Sequence, residues 1–253
     1  MSGVEWLVDA QSEQGWIADR LRGEDRQVRI AGCTYGVPVL LLPTVQFTDA
    51  RVLARSCRSG LPMLRRYGGG AAVLAGPWLA SLNLWVPAGQ RPLPTGLAAL
   101  RQWVGQMHVG ALNRLGFQTR LAQVATVELV EVCAALRAAC FGAASIGEVL
   151  DDVGRKVVGI SQHRSPRGTW IGAGTLVGPT DWSLLCQTLG LPGSVTRLLH
   201  ERTSWCPLRA RLVLTAVAAE VSCSLESACG AKFVPEYYRQ SASSSETKSA
   251  ARL

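Results

Sequence analysis

The chain has 253 residues, of which 48% are hydrophobic and 17% charged, a composition that excludes a disordered polymer and leaves enough chain for a real core. Its apolar runs, such as residues 37–42 and 212–219, are too short to span a bilayer, and Glu5 and Asp9 interrupt the opening stretch where a secretory leader needs an apolar core, so a cytoplasmic protein without a membrane partner is expected. The formal net charge of +8 favours acidic partners, but no Lys/Arg-rich run and no basic strip interleaved with aromatics is present, and nucleic acid is not the expected partner.

In chain order, residues 3–22 form a mixed amphipathic segment in which Trp6, Leu7, Trp16, Ile17 and Leu21 stand among acids and glutamines. Residues 27–30 alternate as a strand does. The proline-punctuated run 37–43 reads as a strand buried on both faces. A helix follows to about residue 59, with Thr48 as its N-cap. Residues 61–87 read as a β-meander around the glycines at 68, 69 and 70, with strands at 71–74 and 82–86. Near-helical spacing of Leu97, Leu100, Trp103, Val104, Met107, Leu112 and Leu115 predicts a helix stopped at Gly116. Residues 127–139 are ambiguous. Strands are predicted at 148–151, 156–162 and 170–177, then a helix from about Asp181 to Leu189 and a last one over about 208–219. The polar tail 241–253 is expected to be disordered. With no repeat and no internal boundary, the chain reads as one α+β domain over residues 1–240.

Two stretches carry candidate chemistry. The first is Arg65-Arg66-Tyr67-Gly68-Gly69-Gly70, where glycines let backbone N–H groups approach an anion and the arginines supply charge-assisted bonds. Its spacing is neither that of a P-loop nor that of a dinucleotide fingerprint. The second runs from Gly154 to Arg167, GRKVVGISQHRSPR. Of 26 lysines and arginines only Lys156, Lys232 and Lys248 are lysine. An ammonium is a compact point charge suited to a phosphate or carbonyl oxygen, where a guanidinium is a wide fork; the plain alternative is a strand-edge lysine in solvent. Upstream stands Cys140-Phe141, a thiol that a nearby cation such as Lys156 would make nucleophilic. The eight cysteines include no C-x-x-C pair, which argues against a zinc site and a disulfide framework. His108, His163 and His200 are scattered, and no metal site is expected.

The order RR-x-GGG-A-A-V, a helix, C-F, then G-R-K-V-x-G-x-x-Q-x-R resembles the biotin/lipoate ligase and octanoyltransferase superfamily, over roughly residues 37–177. The strongest match is Gly154 to Gly159 with Ser161, Gln162 and Arg164. The resemblance implies a mixed β-sheet flanked by helices and an enzyme that joins an octanoyl or lipoyl group to a lysine of a lipoyl domain. It implies that Lys156 contacts the acyl carbonyl or an adenylate phosphate, that Cys140 takes the acyl group in a cysteine-dependent transferase, and that Arg65, Arg66, Gly68, Gly69 and Gly70 floor an acyl tunnel, with Gly159 and Gln162 beside the substrate. Lipoate or octanoate would be substrate rather than bound cofactor, ATP and Mg²⁺ would be needed by a ligase, and a lipoyl-domain acceptor and an acyl carrier protein are the implied partners. The family's histidine positions carry Ala75-Gly76 and Ala173-Gly174 here. A non-catalytic or repurposed ligand-binding paralogue is therefore the second reading.

Overall fold

The computed structural model describes residues 4–23, 25–68, 70–90, 93–123 and 134–230. Gly69, most of the ambiguous 127–139 segment and the 241–253 tail lie outside them.

The opening segment splits into β1 (Glu5–Leu7) and α1 (Ala10–Arg22). Asp9 caps the helix through a reciprocal capping box with Ser12, which supplies the donors and acceptors that a helix start lacks. Then come β2 (Arg29–Thr34) and β3 (Val39–Leu42). All four residues of β3 are buried, as expected for a strand covered on both faces. After the short α2 (Thr44–Phe47) comes α3 (Ala50–Ser59). Its cap is Asp49 rather than Thr48: the Asp49 carboxylate accepts from the N–H groups of Arg51 and Val52, while the Thr48 hydroxyl turns back to Thr44 O and Val45 O. A carboxylate is the stronger acceptor at the positive end of a helix.

Residues 61–87 do not form a meander. Strands β4 (Met63–Arg65) and β5 (Val73–Ala75) flank β3 in a small sheet of order β4-β3-β5, with β3 and β4 parallel. The long β6 (Leu79–Pro87) leaves for a second sheet. The next elements are α4 (Leu97–Arg114), β7 (Thr119–Leu121), α5 (Ala134–Arg137), β8 (Val149–Asp151), β9 (Lys156–Ser165) and β10 (Gly168–Leu176). Three helices end the described chain: α6 (Trp182–Leu189), α7 (Gly193–Arg202), which no sequence signal had marked, and α8 (Ala210–Gly230). Helix α8 runs about ten residues past its expected end because Val221 and Leu225 extend the buried stripe of Val213, Leu214, Val217 and Ala218.

The large sheet has the order β1-β2-β6-β10-β9-β8-β7 and is antiparallel except between β1 and β2. The period-2 alternation of a strand gives it two different faces. Leu82 and Leu84 of β6, Ile171 and Ala173 of β10, and Val158 and Ile160 of β9 point to one face, where α4 and α8 cover them. The opposite face looks toward α1 and the small sheet. A second apolar core joins that small sheet to α3, α6 and α7. The architecture is α+β, a mixed sheet flanked by helices, and none of the described helices is long and apolar enough to cross a membrane.

His108 of α4 is 1% exposed, and one ring nitrogen, Nδ1, lies 2.9 Å from Val104 O. Burial lowers its pKa from 6.5 to about 4. Between these two values the unfolded chain takes up a proton that the folded chain refuses, so this group's contribution to stability is present above pH 6.5 and is lost as the pH falls toward 4. The shift corresponds to about 3 kcal/mol in full. Urea unfolding at pH 7 and pH 5 should show a loss that is smaller in His108→Gln; equal pH dependence in both proteins would mean that His108 protonates freely in the fold.

Candidate functional site

The inner face of the large sheet carries two rows of small side chains. Ser81 of β6 lies opposite Gly174 of β10, which lies opposite Gly159 of β9; two residues along, Asn83, Gly172 and Ser161 form the next row. With little bulk on this face, the elements that cover it come close and leave a narrow cleft, with a cavity of about 40 Å³, room for two or three waters (~15 Å³ each by the same measure). Glycine inside a strand is the usual mark of such a close approach. Trp170 stands at one end of the rows and Leu79 at the other. Helix α1 contributes Glu13, Gln14 and Ile17, the small sheet and its loop contribute Leu41, Val73 and Arg66, and Cys140 and Phe141 close the β9 side.

The Arg65–Gly70 loop and β9 are therefore neighbours in space. A Cβ on Gly68 would lie 2.2 Å from the Trp170 indole and 3.3 Å from Ser161 Oγ, so only glycine lets the loop seat on Trp170. Arg66 faces the cleft and donates from Nη1 to Ala71 O at 2.7 Å. Arg65 is exposed against the Tyr67 ring, and Gly70 is exposed with a φ of 100°. Gln162 points away from the cleft, donating to Leu97 O at the start of α4. The floor is thus the sheet, and the arginine–glycine loop is a roof, because β6, β9 and β10 alone present consecutive backbone free of bulk.

At the α1 end sits a buried carboxylate. Glu13, 2% exposed, accepts from Ser81 Oγ (2.5 Å) and Asn83 Nδ2 (2.8 Å) on Oε1, and from Tyr35 Oη (2.7 Å) and Gln14 Nε2 (3.3 Å) on Oε2. Asn83 in turn accepts from the Trp170 indole N–H at 3.1 Å. Burial, aided by the Glu13 charge, pushes the Tyr35 hydroxyl well above its ordinary pKa, so Tyr35 stays a donor to Glu13. None of these residues was legible as a site residue; the Gly172-x-Gly174 spacing in a strand was the available signal.

At the opposite end lies the thiol. Cys140 is partly exposed and lines the cleft, whereas burial raises the pKa of Cys33, Cys186 and Cys206, the last to about 11. The Cys140 backbone is held on both sides: its N–H donates to Ala72 O at 2.9 Å, and its carbonyl accepts from Lys156 Nζ at 2.8 Å. Lys156 follows a tight turn in which Gly154 has a φ of 94° and Asp151 binds the N–H and guanidinium of Arg155. Its ammonium is 3% exposed and also donates to Ala143 O (2.9 Å) and Glu148 Oε2 (2.7 Å). It lies 3.6 Å from where a Gly159 Cβ would stand, beside the cleft. Its three hydrogens are thus matched by three protein acceptors. Among the described residues, no three His, Cys, Asp or Glu side chains gather as a metal site would require.

No protein-family model matches the chain, and no curated protein does. Solved structures do. The chain is similar to a lipoate-protein ligase A bound with ATP, with 16% identity over 89% of this chain and 86% of the other and a TM-score of 0.66. It is similar to the bipartite lipoate protein ligase of Thermoplasma acidophilum, studied with its E2 lipoyl domain, with 15% identity over 89% and 84% and a TM-score of 0.64. A biotin protein ligase variant from Aquifex aeolicus in complex with biotin matches with 12% identity over 89% and 70% and a TM-score of 0.50. At these identities the likeness shows the fold, that of the lipoate and biotin ligase catalytic domain.

Replacing Lys156 by Met would leave the Glu148 carboxylate buried without its cation. The expected loss is about 3–5 kcal/mol of unfolding free energy, read from urea curves at pH 7. Parental stability in Lys156→Met would show that Glu148 is hydrated in solution and that the pair is dispensable.

Proposed function

We propose that the chain attaches an octanoyl or lipoyl group to a lysine of a lipoyl-domain protein, carrying the acyl group on Cys140. The observation that carries this reading is the thiol itself, held by its backbone between Ala72 and Lys156 and facing the cleft of a ligase fold. The Cys140 thiolate attacks the carbonyl of a carrier-bound thioester; the C–Sγ bond forms, and the carrier thiolate leaves and recovers the proton that Cys140 gave up. The acceptor lysine, as free amine, then attacks the Cys140 thioester; a C–N bond forms, the C–Sγ bond breaks, and the proton shed by the nitrogen returns to the thiol. The acyl chain lies along the rows of small residues, displacing side chains that now narrow the cleft. A net charge of +8 suits an acidic acceptor domain and an acidic carrier.

A ligase would instead activate free lipoate with ATP and Mg²⁺. The cleft fits that route poorly: Arg66 is the one cation among the described residues lining it, and the hydrogens of Lys156 are committed to protein acceptors. A second reading, a binding module without turnover, draws on the same engaged lysine together with buried Ala75 and Ala173 at the positions where the resembling enzymes carry histidine.

Intact-mass analysis after mixing the protein with octanoyl-carrier protein should show one added acyl group, mapped to the Cys140 peptide and removed by hydroxylamine. Cys140→Ser should abolish both the adduct and transfer to a lipoyl domain, since the serine alkoxide is far harder to form near neutral pH. Full transfer by Cys140→Ser, or modification that requires lipoate, ATP and Mg²⁺, would move the reading to a ligase. No modification with either donor would leave the binding module.

A further inference from the structure

The Glu148 carboxylate, 4% exposed, does not line the cleft, yet it ties together the pieces that hold the thiol. Its Oε2 accepts from Lys156 Nζ at 2.7 Å and from Ser145 N at 2.8 Å, and its Oε1 accepts from Ile160 N at 3.0 Å. One carboxylate thus spans the 142–147 turn and strand β9, whose Gly159 and Ser161 belong to the cleft floor. The lysine it pins reaches back to the carbonyls of Cys140 and Ala143 at 2.8 and 2.9 Å. Take away the negative charge and the ammonium must find another anion or swing toward water, releasing both carbonyls.

We propose that Glu148 is a positioning residue for Cys140, acting through Lys156 to lock the Cys140–Ala143 backbone against the cleft floor. The proposal rests on the reading that Cys140 carries the acyl group. In this arrangement the lysine of the GRKVVG stretch holds the backbone that bears the nucleophile. A merely structural pair would add stability and leave the reactivity of each folded molecule unchanged. A positioning pair sets the approach of Sγ to the carbonyl, where a displacement of about 1 Å costs on the order of 10²-fold in rate.

The test uses the full chain and compares Glu148→Gln with the double variant Glu148→Gln/Lys156→Met, in which no unpaired charge is left buried if the single variant folds poorly. Urea curves establish the folded fraction. Acylation by octanoyl-carrier protein is followed by mass, and the rate of Cys140 carbamidomethylation by iodoacetamide is measured by peptide mapping, with the exposed Cys57 and Cys223 as internal standards. In both variants the rate constant for acylation should fall on the order of 10²-fold with the carrier KM unchanged, and alkylation of Cys140 relative to Cys57 should rise as the turn loosens. Parental acylation by folded double variant, or an unaltered Cys140 to Cys57 ratio, would overturn the proposal. If the parent itself accepts no acyl group, the acyl-transfer reading fails, and the alkylation ratio still decides whether Glu148 fixes Cys140.

Discussion

An ammonium buried to 3% exposure has to be neutralised and fully hydrogen-bonded, and much of the site depends on how Lys156 meets that demand. Its charge is answered by Glu148, and its remaining hydrogens go to two main-chain carbonyls of the turn that follows Cys140. The tight turn at Gly154 and the irregular pairing between β8 and β9 immediately precede and flank the lysine. An isolated pair of this kind adds little net stability compared with an apolar pair of the same size, because both ions lose their water. What the pair does in the fold is tie down two carbonyls of the 140–143 backbone.

The cleft arises from a different rule. Strand alternation sends leucine, isoleucine and valine to the α4–α8 face and glycine, serine and asparagine to the other. The space above those small residues is bounded by Trp170, whose ring is accommodated by glycine at both Gly68 and Gly172. Its indole N–H runs through Asn83 into the acceptor–donor network around Glu13. The two ends of the cleft therefore differ in kind. One is built from a carboxylate saturated by neutral donors; the other presents a thiol beside an aromatic ring, with a compensated lysine next to them.

Several elements followed directly from local pattern. The buried β3, the α4 helix, the three strands around Lys156 and the α6 start at Asp181 agree with the expected spans to within a few residues, because each depends on interactions between residues close in the chain: capping, periodicity and turn chemistry. The resemblance carried by the glycine loop, Cys140-Phe141 and the GRKVVG stretch led to the mixed-sheet architecture that the solved ligases share. Helix α7 and the strand pairing of residues 61–87 were not legible. The former has no side-chain N-cap bond, beginning after Pro192, and the latter is decided by which strand β3 recruits, a choice between partners distant in sequence.

By itself the sequence determined that this chain is a folded α+β protein, and it singled out Cys140, Lys156 and the Arg65–Gly70 loop as chemically unusual. Only the tertiary structure decided their arrangement. It turned Arg65 and Gln162 away from the cleft, set the loop as a roof and the sheet as a floor, and enlisted Glu13, Asn83, Trp170 and Glu148. The physical reason is that a side chain's face follows from strand register and from the partners that satisfy its charge. Both are settled across strands and helices tens of residues apart, where no local pattern records them.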